Sequence, residues 1–182
     1  MNYLIQSLTY FRIIASPIIF LLVILGLYGW AFLLTLIASS SDFWDGYLAR
    51  RYNLESTMGS ILDPIADKIL LTFLILSLSL AMSSPFVSFI GGLILIREFW
   101  VAALRDINAR ENNMSATKVT LAAKIKTFLQ LITFLILIFG LHLNNSLVIL
   151  LGKFFLFASL ILTLQTGLEY TVKTFNGLKS RH

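Results

Sequence analysis

Four aspartates lie in two closely spaced pairs in a strongly apolar chain, between positions 42 and 67. Asp42 and Asp45 are i, i+3, and Asp63 and Asp67 are i, i+4, so each pair is expected on one helix face. The residues on either side are typical of membrane-spanning helices. Four ionised carboxylates near a bilayer centre would cost about 10 kcal/mol or more on insertion scales. A divalent cation is the simplest compensation, and oxygen-only ligands favour Mg²⁺, Mn²⁺ or Ca²⁺ over zinc.

Small residues and one arginine lie among these aspartates, and small residues leave room for a ligand beside the backbone. The whole pattern is Asp-x2-Asp-Gly-x2-Ala-Arg-x8-Gly-x3-Asp-x3-Asp. It is filled by Asp42, Asp45, Gly46, Ala49, Arg50, Gly59, Asp63 and Asp67. This pattern resembles the signature of the CDP-alcohol phosphatidyltransferases, and no position of it is missing.

The resemblance implies a reaction in which a phosphatidyl group passes from a CDP-linked lipid to an alcohol, with release of CMP. It implies that Asp42, Asp45, Asp63 and Asp67 are metal ligands, holding two ions of Mg²⁺ or Mn²⁺. Asp67 is then shared between the metal and catalysis, as the general base that takes the proton of the attacking hydroxyl.

The same resemblance implies where the CDP-lipid binds. Asp42 is expected to contact the CDP-lipid, Gly46, Ala49 and Gly59 to form the floor of the cytidine site, and Arg50 to hold the donor phosphate. Taken singly, each glycine is as well explained by close helix packing. Only the complete set indicates a nucleotide.

A second group of charged residues follows, in the fourth and fifth apolar segments. Arg97-Glu98 with Arg105, then Lys124 and Lys126, resembles the phosphatidylglycerophosphate-forming branch of the family, whose acceptor is sn-glycerol 3-phosphate. Four cations exceed what a neutral alcohol needs, and arginine binds phosphate through paired hydrogen bonds. Two other interpretations stay open: the lysines could be cytoplasmic anchors, and Arg97 could pair with Glu98 or a motif aspartate.

Composition indicates an all-α, polytopic membrane protein with a single domain over residues 1–182. The chain is 58% hydrophobic and has no cysteine and a net charge of +5; its mean hydropathy is +0.87. Residues 2–9 are expected to form a short interfacial helix, and six spans to follow. They are Tyr10–Tyr28, Ala31–Tyr52, Thr57–Met82, Phe86–Arg110, Thr117–Gly140 and Leu147–Tyr170. Arg12 is interpreted as an interface residue whose side chain reaches toward the membrane surface.

Lysine and arginine are concentrated in alternate connections and in the tail, which predicts cytoplasmic termini and a cytoplasmic active site in the cell membrane. The basic balance fits anionic membrane lipid and not nucleic acid, and no removable signal peptide is indicated. A homodimer is implied by the resemblance alone. Two alternatives remain: another acceptor, such as inositol phosphate or serine, or a divalent-cation transporter. Arg50 and the lysines disfavour a transporter, because cation pathways avoid positive charge.

Overall fold

A computed structural model describes the backbone of residues 2–52, 57–111 and 121–179. Side chains are described for residues 7–41, 62–111, 125–177 and 179. All elements in these ranges are α-helices. They are α1 (Asn2–Ile24), α2 (Tyr28–Tyr52), α3 (Thr57–Ala81), α4 (Pro85–Arg110), α5 (Leu121–His142) and α6 (Ser146–Lys179).

Three tight turns at one end of the bundle connect successive helix pairs. Gly26 adopts φ +75 between α1 and α2, which a glycine does without steric cost. Ser83 has φ 43 just before Pro85 begins α4, and proline suits a first helical position because its missing N–H needs no partner there. Asn145 begins α6 by accepting hydrogen bonds from the N–H groups of Leu147 at 2.9 Å and Val148 at 3.3 Å.

The core forms where the apolar faces of all six helices meet. Ile19 of α1, Leu78 of α3, Ile94 of α4 and Leu137 of α5 are fully buried there. Helix α1 packs against α2 and α3. Helix α4 packs against α3 and α6, and α5 packs against α2 and α6. These contacts bring the N-terminal ends of α1, α3 and α5 beside the C-terminal ends of α2, α4 and α6.

The bundle is an integral membrane protein. Within the described residues, five helices are long and apolar enough to cross a membrane, namely α1, α3, α4, α5 and α6. Large apolar side chains such as Phe89 and Leu168 point outward, as expected for a surface in contact with lipid. The 25-residue helix α2 continues past its described side chains, so the count of six spans stays a prediction.

Several predicted boundaries differ from the structure. The separate interfacial helix over residues 2–9 was wrong, because α1 runs without interruption from Asn2 through Pro17 to Ile24. Residues 2–16 contain no glycine or proline that could break the helix near residue 9, and Thr9 is already buried in the bundle. At the other terminus, α6 extends to Lys179 because its polar C-terminal part still packs on α4. The predicted start of the fifth span, Thr117, lies outside the described residues.

Candidate active site

A cavity of about 710 Å³ lies at the end of the bundle where α1, α3 and α5 begin. Asp63 and Asp67 of α3 line it, together with Arg97 and Arg105 of α4 and Lys126 of α5. One cavity therefore brings together five residues that the sequence assigned to two different subsites. All six helices contribute to its wall, including α1 through Arg12, α2 through Ser39 and α6 through Tyr170.

The acidic side of the cavity is held by α1. Arg12 is fully buried, and it donates from Nη1 to Asp67 Oδ1 at 2.5 Å and from Nη2 to Asp63 Oδ1 at 3.2 Å. Thr9, one turn earlier, donates from Oγ1 to the same Asp63 oxygen at 2.6 Å. The two carboxylates keep part of their surface exposed, 36% for Asp63 and 54% for Asp67. They are thus held by α1 and remain partly accessible in the cavity wall.

This arrangement fits a divalent cation. Arg12 takes the Oδ1 atom of both Asp63 and Asp67, and the exposed remainder of each carboxylate offers the oxygen ligand that hard cations prefer. Among the side chains that the structure describes, no three acidic or histidine groups form a cluster that could hold a metal. The other two predicted ligands, Asp42 and Asp45, lie in α2 with side chains outside the described set.

The predicted CDP-lipid residues and one acceptor lysine cannot be placed at side-chain level. The backbone is helical at each of these positions, within α2, α3 or α5. They are Gly46, Ala49, Arg50, Gly59 and Lys124. Their roles stay predictions.

The basic side of the cavity is built around one glutamate. Glu98 Oε1 accepts a hydrogen bond from Arg97 Nη1 at 3.1 Å and another from Lys126 Nζ. Arg97 and Lys126 are only 6% and 5% exposed. A buried cation without a partner is costly, so the shared carboxylate is what allows the two to lie together. Of the interpretations left open for Arg97, pairing with Glu98 is therefore correct, and it coexists with a position in the cavity wall.

Helix α6 supports the basic side from behind. Arg97 Nη2 donates to Thr166 Oγ1 at 2.6 Å, and the arginine side chain crosses Gly167. Arg105 lies over the ring of the buried Tyr170, with Cζ 5.4 Å from the ring centroid, which is a cation–π contact. Both predicted α4 arginines are therefore positioned by residues of the last helix.

Sequence reasoning missed Arg12, Thr9 and Glu98 as parts of this site. Arg12 is not an interface residue, because its guanidinium points into the bundle and binds α3. A signal existed in the sequence: Thr9 and Arg12 are i, i+3, and an ionisable residue in a span is by default a functional candidate. Glu98 was mentioned only as a neighbour of Arg97, since its link to Lys126 spans two helices.

Comparison with known proteins assigns the chain to a family. The family model described as CDP-alcohol phosphatidyltransferase matches residues 3–165. A CDP-diacylglycerol–glycerol-3-phosphate 3-phosphatidyltransferase of Rickettsia bellii is 40% identical over 76% of this chain and 75% of its own length. Proteins of the same name from Blochmanniella floridana and Salmonella choleraesuis are 34% and 33% identical over 90% of this chain, and over 86% and 90% of their own lengths. These matches cover most of the chain, and they include the helices whose carboxylates and cations line the cavity. The chain belongs to the CDP-alcohol phosphatidyltransferase family.

Proposed function

We propose that this protein transfers the phosphatidyl group of CDP-diacylglycerol to sn-glycerol 3-phosphate, giving phosphatidylglycerophosphate and CMP. The relatives that carry this activity in their name match most of the chain. The reaction belongs to phospholipid biosynthesis, and both the donor and the product are membrane lipids. The supporting observation is that one cavity is lined by Asp63 and Asp67 and also by Arg97, Arg105 and Lys126.

The acidic side suits the donor. Members of the family are generally dependent on a divalent cation. We assign Asp63 and Asp67, with Asp42 and Asp45 of α2, as the ligands of Mg²⁺ or Mn²⁺, and we propose two ions. When bound, such ions neutralise the charge that shifts along the pyrophosphate as its bond breaks. Gly46, Ala49, Arg50 and Gly59 are assigned to the CDP part of the donor.

Asp67 is assigned as the general base. The acceptor hydroxyl oxygen forms a bond to the phosphatidyl phosphorus, and the bond from that phosphorus to the CMP oxygen breaks. The hydroxyl proton passes to the Asp67 carboxylate, and CMP leaves with the bonding electrons. This assignment is supported by the position of Asp67 in the cavity wall and by the 54% exposure of its side chain, while Arg12 holds its Oδ1.

The basic side suits an acceptor that carries a phosphate dianion. Arg97 and Lys126 share one negative partner, Glu98, so the pair keeps a net positive charge in a nearly buried place. Arg105 adds a third cation at the cavity wall, and Lys124 is assigned to the same subsite. A phosphate would complete the charge balance, which a neutral acceptor such as serine would not.

Residues 1–182 are proposed to act as one domain with both termini and the cavity on the cytoplasmic side. The described lysines and arginines support this orientation, because nearly all lie at the cavity end of the bundle, with Lys153 near the opposite end. Their distribution follows the positive-inside rule. A homodimer is proposed from family membership alone.

The test is an assay of the purified full chain in detergent or nanodiscs. With CDP-diacylglycerol, Mg²⁺ or Mn²⁺ and sn-glycerol 3-phosphate, we expect CMP release and a matching amount of phosphatidylglycerophosphate. Omitting the acceptor or adding a chelator should stop both. If CMP is released only with inositol phosphate or only with serine, that compound is the acceptor and sn-glycerol 3-phosphate is not. Divalent-cation flux into liposomes with no CMP release would overturn the enzyme assignment.

A further inference from the structure

Two residues of α6 touch Arg97 without lining the cavity. Thr166 and Gly167 lie against the Arg97 side chain, and among the α6 side chains that the structure describes only Tyr170 lines the cavity. Neither residue is among those that line the cavity. Anything they contribute to binding must therefore act through Arg97.

The Thr166 hydroxyl donates its proton to the backbone of its own helix. Its Oγ1 lies 2.8 Å from the carbonyl oxygen of Leu162 and 3.1 Å from that of Thr163, to which it can only donate. A hydroxyl has one proton, so its lone pairs are left to accept from Arg97 Nη2 at 2.6 Å. The guanidinium is thus fixed, through one side chain, to the backbone of α6.

Gly167 provides the space that Arg97 needs. A Cβ atom at this position would lie 3.0 Å from Arg97 Cγ and 3.0 Å from Arg97 Nε. Such contacts are tighter than normal carbon packing, so any side chain larger than glycine would shift the arginine. Thr166 and Gly167 together define both the direction and the path of the Arg97 side chain.

The orientation that results leaves donors for a ligand. A guanidinium has five N–H groups, and the described partners of Arg97 are Thr166 at Nη2 and Glu98 at Nη1. Its Nε is buried and has no hydrogen-bond partner among the described residues. This Nε faces α6, because a Cβ at Gly167 would lie 3.0 Å from it. The N–H groups left for a ligand in the cavity are therefore the second ones on Nη1 and Nη2.

We propose that Thr166 and Gly167 are positioning residues for the acceptor phosphate: they hold the Arg97 guanidinium in the one orientation that presents its remaining N–H groups to that phosphate. The inference rests on the proposed function, because it assumes a phosphate-bearing acceptor. Specificity for the acceptor then depends in part on residues that never touch it.

The first test compares hydroxyl variants of the purified full chain. Thr166→Val keeps the shape and removes the hydroxyl, and Thr166→Ser keeps the hydroxyl. Thr174→Val is the matched control, because Thr174 Oγ1 accepts from Asn108 Nδ2 at 2.7 Å between the same two helices, two turns beyond Thr166. KM is measured for sn-glycerol 3-phosphate at saturating CDP-diacylglycerol, and then for the donor at saturating acceptor.

Thr166→Val should raise the acceptor KM about tenfold and change the donor KM less than about twofold, since one hydrogen bond to a charged group is lost on the acceptor side only. Thr166→Ser and Thr174→Val should stay near wild type. Equal changes in both KM values, or no rescue by serine, would overturn the positioning role.

The second test does not depend on the hydroxyl. Gly167→Ala adds one methyl group against Arg97, and Gly92→Ala adds one in α4 where no atom lies within 4 Å of the new Cβ. Gly167→Ala should raise the acceptor KM and reduce the shift in melting temperature caused by added inorganic phosphate. Gly92→Ala should do neither. An unchanged phosphate response in Gly167→Ala would contradict the proposal even if the Thr166 variant did not fold.

The wild-type measurement separates the two levels of inference. If the wild type releases no CMP with sn-glycerol 3-phosphate, the proposed function fails and this inference fails with it. If the wild type is active and both α6 variants keep its acceptor KM, only the positioning role is lost.

Discussion

Arg12 Nη1 lies 2.5 Å from Asp67 Oδ1, which joins the first helix to the proposed catalytic base on the third. The same guanidinium binds Asp63, so a single side chain without solvent exposure holds both described carboxylates of the motif. The first helix is therefore part of the active site. It determines how the acidic side of the cavity is arranged before any donor binds.

Replacing Arg12 should lower both stability and activity. Arg12→Ala removes the shared cationic partner of two carboxylates. We expect the free energy of unfolding to fall by about 2 kcal/mol, less than for a fully buried pair, because both aspartates are partly exposed. The midpoint of thermal unfolding in detergent measures it. Arg110→Ala is the control: it removes an exposed pair with Asp106 and should shift the midpoint little. Equal shifts in the two variants would refute the structural role of Arg12.

Asp67→Asn should reduce turnover by about a thousandfold while CDP-diacylglycerol still binds, because the amide cannot accept the hydroxyl proton. CMP release measures turnover, and protection against thermal unfolding by the donor measures binding. Asp106→Asn, in the exposed pair with Arg110, provides a carboxylate control with unchanged turnover. Wild-type turnover in the Asp67→Asn variant would remove Asp67 from the role of base.

Glu98→Gln should make the protein more dependent on anions. Removal of the only described negative partner leaves Arg97 and Lys126 buried with uncompensated charge, which is costly unless an anion takes its place. The variant should melt at a lower temperature, and added inorganic phosphate should raise its melting temperature more than it raises that of the wild type. Glu169→Gln is the control, since its pair with Lys173 is exposed and should respond little. A phosphate response equal to that of wild type would argue against this role of Glu98.

Arg105→Ala should raise the acceptor KM by about tenfold and the donor KM much less, because one cation is lost from the basic side only. Tyr170→Phe keeps the ring under the guanidinium and should leave both values near wild type. Steady-state kinetics with each substrate varied in turn gives the comparison. Equal changes for donor and acceptor after Arg105→Ala would place Arg105 outside the acceptor subsite.

Local pattern was enough to predict much of the fold. Long apolar runs identified the helices, and most boundaries fell within a few residues, because a span in lipid must satisfy its backbone internally. The same reasoning placed Arg97 and Arg105, eight positions apart, on one face, and both line the cavity. These features depend on spacing within one helix, which a sequence displays directly.

Contacts between distant helices could not be predicted in this way. Arg12 lies 55 positions from Asp67 and Glu98 lies 28 from Lys126, and no periodicity links such pairs. The prediction of a separate interfacial helix was wrong for a related reason. The polar residues among positions 2–9 suggested a membrane surface, whereas the hydroxyl of Thr9 donates a hydrogen bond to Asp63 inside the bundle. Polar residues within apolar helices were informative here, but their partners required the packed structure.

The hydroxyl of Thr166 has a practical consequence for engineering a different acceptor preference. The Arg97 guanidinium is hydrogen-bonded to Thr166 of α6, which does not line the cavity. Redesign limited to the lining residues would therefore leave the orientation of Arg97 unchanged. A library intended to accept larger or uncharged alcohols should therefore vary positions 166 and 167 together with the lining.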